Sequence, residues 1–208
     1  MSERRRGRLI AFEGGEGSGK STQATLLAAR LGAVLTREPG GTAVGARIRA
    51  IVLDPDVGHG LDGRAEALLM AADRAQHVAE VVRPALDRGD DVVSDRFSGS
   101  TLAYQGFGRG LDVEQLRGLS AWATGGLEPD LVVLLDVAPH VGASRLGRSL
   151  DRMEAAGASF HRRVVDGYRA LAAASPGQWV LVDGSGSVEA VAGRVDLAVR
   201  AWAGAVTG

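Results

Sequence analysis

The chain has no cysteine and no asparagine, and its 208 residues include a single lysine, Lys20, against 23 arginines. Without cysteine there is no disulfide framework and no thiolate metal site, so burial and hydrogen bonding must hold the fold. A chain of 208 residues can bury a sufficient core without such staples, and one domain over residues 1–208 is the simplest organisation. An excess of one charge sign is also missing. The formal net charge is −1, which excludes the global basic field of many nucleic-acid binders and leaves any nucleotide to be recognised by local groups. Long hydrophobic runs are lacking too. After the basic stretch Ser2 to Arg8, the apolar run Leu9 to Phe12 is too short for a signal peptide or a membrane span. Residues 1–7 read as a solvated basic tail, and the expectation is a cytoplasmic protein with neither membrane nor nucleic-acid partner.

A coding bias against lysine and asparagine would account for the arginine-rich background. It does not account for the one exception falling in a glycine-rich loop, Glu13-Gly-Gly-Glu-Gly-Ser-Gly-Lys-Ser-Thr22. Gly14, Gly15, Glu16, Gly17, Ser18, Gly19, Lys20 and Ser21 complete the pattern G-x-x-x-x-G-K-[ST] between a predicted strand and a predicted helix. Glycines let successive N–H groups curl around phosphate oxygens, and the helix beginning near Ser21 and Thr22 adds its positive end. A lysine ammonium is a slim, flexible point charge suited to reach between β- and γ-phosphates, whereas a planar guanidinium has a different reach. The loop therefore points to ATP as donor, with Ser21 offering its hydroxyl to Mg²⁺.

Apolar runs punctuated by turn residues occur at 8–13, 33–36, 91–95, 131–136 and 179–183. Continuous rather than alternating hydrophobicity predicts strands covered on both faces, hence an α/β fold with a central parallel sheet of five strands flanked by helices. Helices are expected over 21–31, 62–88 with a bend near Pro84, 112–122, 139–148, 152–174 and 187–203. Strand ends carry further chemistry. Thr36-Arg-Glu-Pro-Gly-Gly-Thr42 leaves the second strand, and Ser94-Asp-Arg-Phe97 ends the third, with Ala103-Tyr-Gln-Gly106 shortly after. Leu69 to His77 lies on a helix on which Glu66, Met70 and Arg74, spaced i, i+4, i+8, share a face. Ligands in parallel sheets collect at the carboxyl ends of strands, so these pieces can converge on one cleft. A guanine-specific switch protein would need an Asn-Lys-x-Asp sequence, which a chain without asparagine cannot supply.

In order and spacing these motifs resemble the thymidylate kinase family of P-loop enzymes, over about residues 8–171. The resemblance implies a three-layer P-loop NTPase sandwich, transfer of the ATP γ-phosphate to dTMP with Mg²⁺, and a homodimer. By the same resemblance Arg96 and Arg37 hold the dTMP phosphate, with Ser100 in the same pocket, and Arg74 meets the thymine edge. Tyr104 packs on the sugar, Gln105 lies near the base, Asp95 acts on the Mg²⁺ shell through water, and Glu16 orients the acceptor phosphate and metal. The cradle contains no arginine, so a second cation is expected from a mobile lid at about 140–155, with Arg148 as the transition-state group and Arg145 or Arg152 as alternates. Asp73 and His77 read as surface or helix-structural residues, and a duller reading pairs Arg74 with Glu66 or another carboxylate in an exposed helix salt bridge. Met70 stands where the family usually has phenylalanine, and Phe97-Ser-Gly99 also departs from its pattern, so the phosphate chemistry is better specified than the base pocket. Competing readings are another P-loop small-molecule or deoxynucleoside kinase, or a binding module that hydrolyses ATP to switch partners.

Overall fold

A computed structural model describes residues 6–58, 60–146 and 150–207. Five parallel strands form one sheet in the order β2-β3-β1-β4-β5: β1 Leu9–Glu13, β2 Val34–Arg37, β3 Val92–Asp95, β4 Leu131–Asp136 and β5 Trp179–Asp183. Around it run α1 Lys20–Leu31, α2 Ala43–Leu53, α3 Gly63–His77, α4 Arg83–Arg88, α5 Ser98–Thr101, α6 Val113–Thr124, α7 Pro139–Ser144, α8 Ala158–Ala174 and α9 Val188–Thr207.

Every residue of β1 is buried, as the unbroken apolar run requires. Because neighbouring side chains on a strand point to opposite faces, Ile10 and Phe12 pack with α1 and α9 through Leu27, Val191 and Val195, while Leu9 and Ala11 pack with Val82, Ala85 and Leu86. The result is helix, sheet, helix. The chain leaves β1 for one side of the sheet through β2 and β3 and returns to the other through β4 and β5. The crevice at the carboxyl ends of β1 and β3 is therefore where a ligand fits.

Several boundaries differ from the sequence expectation, among them α5 and the π-helical turn at Leu102–Gly108, which were not expected, and α7, which ends at Ser144 and not at 148. Helix α2 was not expected; it starts because the Thr42 hydroxyl accepts a hydrogen bond from the Gly45 N–H (2.9 Å) and buries only Gly45, Ile48 and Val52, too sparse an apolar pattern to stand out. The helical run expected over 62–88 with a bend near Pro84 is found as α3, a π-helical turn at Val78–Val82 and α4 in unbroken succession, the turn widening the backbone before the proline enters the first turn of α4. The 152–174 helix begins only at Ala158, because Gly157 (φ 92°) interrupts it after a 3₁₀ turn at Glu154–Ala156. No described helix is long and apolar enough to cross a membrane.

Candidate active site

From Glu13 the chain turns through Gly14 to Gly19, and α1 opens at Lys20 beside Gly19 in the left-handed region. Gly17 (φ 67°) lies so close to α7 that a Cβ there would sit 2.1 Å from the Gly142 carbonyl oxygen, so the loop is pressed into shape by glycine on both sides. The Lys20 Nζ donates to the Gly15 carbonyl (2.7 Å) and the Ser18 hydroxyl (3.2 Å). Burial, then repulsion from Arg96, lower the Lys20 pKa to about 8, against the opposing pull of Glu16, Asp95 and Glu13. Its direct partners are neutral, so the ammonium is short of an anion. Beside it the Ser21 hydroxyl donates to Asp95 Oδ2 (2.5 Å), while Asp95 Oδ1 is buried without a hydrogen-bond partner.

Arg96, at the end of β3, is the only described non-glycine residue with positive φ (73°), a conformation costing about 1–3 kcal/mol. Its N–H bonds to the Phe12 carbonyl (2.9 Å) and its own carbonyl accepts from the Ser94 hydroxyl (2.7 Å), which fixes the turn. The guanidinium lies over the Tyr104 ring at 5.0 Å. Its Nη1 donates to the Gly14 carbonyl, Ser100 Oγ and Tyr168 OH (3.2 Å each), and its Nη2 to Glu16 Oε1 (2.8 Å) and Tyr104 OH (3.2 Å). Burial would raise the Glu16 pKa, but Arg96, Lys20 and the Tyr104 hydroxyl outweigh it and hold it at about 2.

The cradle residues from Glu16 to Thr22 line a cavity of about 550 Å³ together with Arg37, Asp95 and Arg96, and its far end reaches Arg145 and Gly184. Met70, Ser100, Tyr104 and Gln105 line a neighbouring cavity of about 70 Å³, closed on one side by Met153. Glu16, Arg49, Arg96 and Asp151 belong to both walls, so the two spaces adjoin. Arg74, expected to meet the base, lines neither cavity and is buried: its Nε donates to Glu38 Oε2 (2.8 Å), Nη1 to Thr101 Oγ1 (3.0 Å) and Nη2 to the Phe97 carbonyl (3.0 Å). The exposed pairing with Glu66 is therefore replaced by a buried one with Glu38. His77 and Asp73 are buried as well, correcting the surface reading. His77 bridges Glu38 (Nδ1, 2.8 Å) and Thr36 (Nε2, 2.7 Å), and Asp73 accepts from the Gly40 N–H (2.9 Å).

The model of the family described as thymidylate kinase matches residues 12–195. A thymidylate kinase from Synechococcus sp. (strain JA-3-3Ab) is 52% identical over 192 residues, 90% of this chain and 92% of that protein. One from Desulfovibrio desulfuricans is 49% identical over 208 residues, 93% and 95% of the two chains. The crystal structure of thymidylate kinase from Ehrlichia chaffeensis superposes with a TM-score of 0.72 at 32% identity, covering 85% of this chain and 93% of that one. The chain belongs to the thymidylate kinase family. Its fold is accordingly the P-loop NTPase sandwich expected from the cradle.

Of the three arginines that family resemblance singles out, Arg145 lines the larger cavity and donates from Nη1 to the Gly17 and Gly184 carbonyls (3.3 Å each). Arg152 turns instead toward α2 and α3, where Nε bonds the Val52 carbonyl (2.7 Å) and Nη2 meets Glu66 Oε2 (2.5 Å). Arg148 lies outside the described residues.

Sequence reasoning passed over Glu13 and Glu38 among the acids that hold the site together, and read Glu66 only by the helix face it shares with Met70 and Arg74. Glu13 is fully buried: Oε1 accepts the N–H groups of Phe97 and Ser100 (3.0 Å each), and Oε2 the hydroxyls of Ser100 (2.6 Å) and Tyr168 (2.9 Å). Burial raises its pKa, partly opposed by those donors and by Arg96. Glu38 and Glu66 play the same part under Arg74 and Gln105. Arg49, also missed, bonds the Pro39 carbonyl (3.1 Å) between the two cavities; burial and then the charge of Arg37 lower its pKa. The one available signal was an acid inside an apolar strand, as Glu13 is.

Proposed function

We propose that the chain transfers the γ-phosphate of ATP to dTMP, giving ADP and dTDP, within one domain whose 140–155 segment acts as a lid. The observation that carries this reading is the shared wall. Lys20 faces the larger cavity and Arg96 both, so a donor phosphate on the ammonium and an acceptor phosphate on the guanidinium lie in adjoining spaces.

In this mechanism the amides of the cradle and Lys20 take the donor's terminal phosphates, restoring full charge to an ammonium whose pKa burial has lowered. Arg96, assisted by Arg37 and Arg49, holds the acceptor phosphate, while Tyr104 and Glu16 keep the guanidinium flat and aimed. A phosphate oxygen of dTMP attacks the γ-phosphorus and the bond to the β,γ-bridging oxygen breaks, with ADP keeping its electron pair. The attacking oxygen is already anionic, so the protein's task is positioning and charge neutralisation rather than proton abstraction. Ser21 and Asp95 fit a Mg²⁺ site: Asp95 Oδ1 has no partner, and no described group of three or more acids and histidines could cage a metal alone, as suits an ion completed by phosphate and water. Bound there, Mg²⁺ would neutralise charge on the donor phosphates.

The nearest competitor, a deoxynucleoside kinase, would leave Arg96 without an acceptor phosphate, and a switch module would need no second cavity. A homodimer in the cytoplasm completes the proposal. Leu68 on α3 and Trp122 on α6, on two helices that pack together, are 59% and 82% exposed and supply apolar surface for a partner copy. The deciding experiment is a coupled assay with MgATP and a panel of nucleoside monophosphates. dTMP is turned over best, with an edge of about 10- to 200-fold over dUMP from the single methyl group. Turnover of AMP or GMP with none of dTMP overturns the reading.

A further inference from the structure

Gln105 is fully buried on the wall of the smaller cavity, and its two amide ends are treated differently. Its Nε2 donates to Glu66 Oε1 (2.7 Å), whereas its Oε1 is buried with no hydrogen-bond partner. An amide can present either a donor or an acceptor to a ligand, depending on which way it is turned. Here the choice is made by Glu66, because a carboxylate only accepts, so the NH₂ end must face it and the carbonyl end must face away.

Glu66 is itself held on all sides. Arg109 Nη2 (3.1 Å) and Arg152 Nη2 (2.5 Å) both donate to its Oε2, and its side chain is completely excluded from solvent. Arg152 is anchored in turn to the Val52 carbonyl (2.7 Å), and Arg109 lies 4.6 Å over the Phe160 ring. Burial pushes the Glu66 carboxyl up, but the donors from Gln105, Arg109 and Arg152 outweigh it and keep its pKa below the usual carboxylate value.

We infer that Glu66 is the positioning residue that selects the acceptor's base class, by locking Gln105 with its carbonyl oxygen turned into the pocket. This rests on the proposed placement of the acceptor nucleotide in that cavity. Thymine and uracil present an N3–H donor beside a 4-oxo acceptor, while cytosine presents a bare N3 beside a 4-amino donor. A fixed carbonyl oxygen accepts the N3–H of the first pair and opposes the N3 lone pair of cytosine. Were Gln105 free to turn, its NH₂ would meet cytosine instead. The methyl group that separates thymine from uracil plays no part in the lock, so Glu66 governs the pair against cytosine and not one member against the other.

The test measures kcat/KM for dTMP, dUMP and dCMP in the wild type, in Glu66→Gln and in Glu66→Asp. In Glu66→Gln the new amide can donate to Gln105, which lets that residue turn. Glu66→Asp keeps the negative charge facing both arginines but shortens the reach to Gln105, so it covers the case in which the first variant does not fold. The dTMP-to-dCMP preference drops about tenfold or more in Glu66→Gln and in the same direction in Glu66→Asp, with the dTMP-to-dUMP ratio unchanged. A proportional loss for all three nucleotides, or a wild-type dTMP-to-dCMP ratio in the folded variants, overturns the inference while leaving the kinase reading intact. A wild type that does not phosphorylate dTMP overturns the kinase reading itself.

Discussion

Arg96 Nη2 lies 2.8 Å from Glu16 Oε1, joining the end of β3 to the phosphate cradle 80 residues earlier in the chain. The pair sits on the wall common to both cavities, and each member sets the other's charge: Glu16 raises the Arg96 pKa against the effect of burial, and Arg96 lowers that of Glu16. Removing the guanidinium deletes the cation proposed to hold the acceptor phosphate and leaves Glu16 without its arginine. Arg96→Ala is expected to lower kcat/KM for dTMP by about 10²- to 10³-fold, the scale seen when one pre-aimed donor is lost from an active site. ATP affinity, followed by titration calorimetry, does not fall. Loss of ATP binding with unchanged dTMP kinetics would place Arg96 on the donor instead.

Lys20→Arg tests why the chain keeps one lysine. The ammonium fits between the Gly15 carbonyl and the Ser18 hydroxyl in a pocket that leaves the residue 5% exposed, and a planar guanidinium cannot take the same place. The expected outcome is a fall in kcat of about 100-fold or more, with Tm close to wild type. A variant with near-normal kcat would mean that lysine here reflects nothing beyond composition.

Lys20 also makes donor binding depend on pH. Its ligand-free pKa of about 8 lies below the ordinary 10.5, so between these values the folded protein holds fewer protons than the unfolded chain. The contribution of this group to ligand-free stability therefore rises with pH across that window. Donor phosphates favour the charged form and draw the pKa back up. Binding of ATP takes up a proton at pH 8.5 but not through Lys20 at pH 6.5, and affinity weakens as pH rises above about 8. Calorimetry in two buffers of different ionisation enthalpy reads the uptake; equal heats at pH 8.5 would refute it.

The arginines of the proposed lid give separable kinetic predictions. Arg145 bonds carbonyls of Gly17 and Gly184 on the wall of the larger cavity, so Arg145→Ala raises KM for ATP with little change in kcat. Arg148→Ala lowers kcat more than it weakens either nucleotide, because its contact is proposed to form with closure. Steady-state kinetics with each substrate varied separate the two; a KM effect alone for Arg148→Ala removes it from the transfer step.

The strands and the cradle were legible because their signals are local. An unbroken apolar run at β1 or β4 implies cover on both faces, and the Gly14-to-Ser21 spacing needs no distant partner to be understood. Arg96, Tyr104 and Gln105 were legible by resemblance, and they do gather around one cavity. Glu13 and Glu38 were not, and Glu66 was legible only by its helix face and not by its partners, because an acid in a sequence reads as solvated until its donors are known. Those donors are remote: Ser100 stands 87 residues from Glu13, and Arg152 stands 86 from Glu66.

The sequence by itself determined the cradle proposed to hold phosphate, since curling amides and one ammonium require only contiguous glycines followed by a lysine at the mouth of a helix. Only the tertiary structure decided how the acceptor pocket is arranged. Its walls come from the cradle at Glu16, the turns after β2 and β3, α2, α3, α5, the π-helical turn at Leu102–Gly108 and the chain around Met153. The buried carboxylates that orient those walls become tolerable once the fold brings their arginine, amide and hydroxyl partners within hydrogen-bond distance.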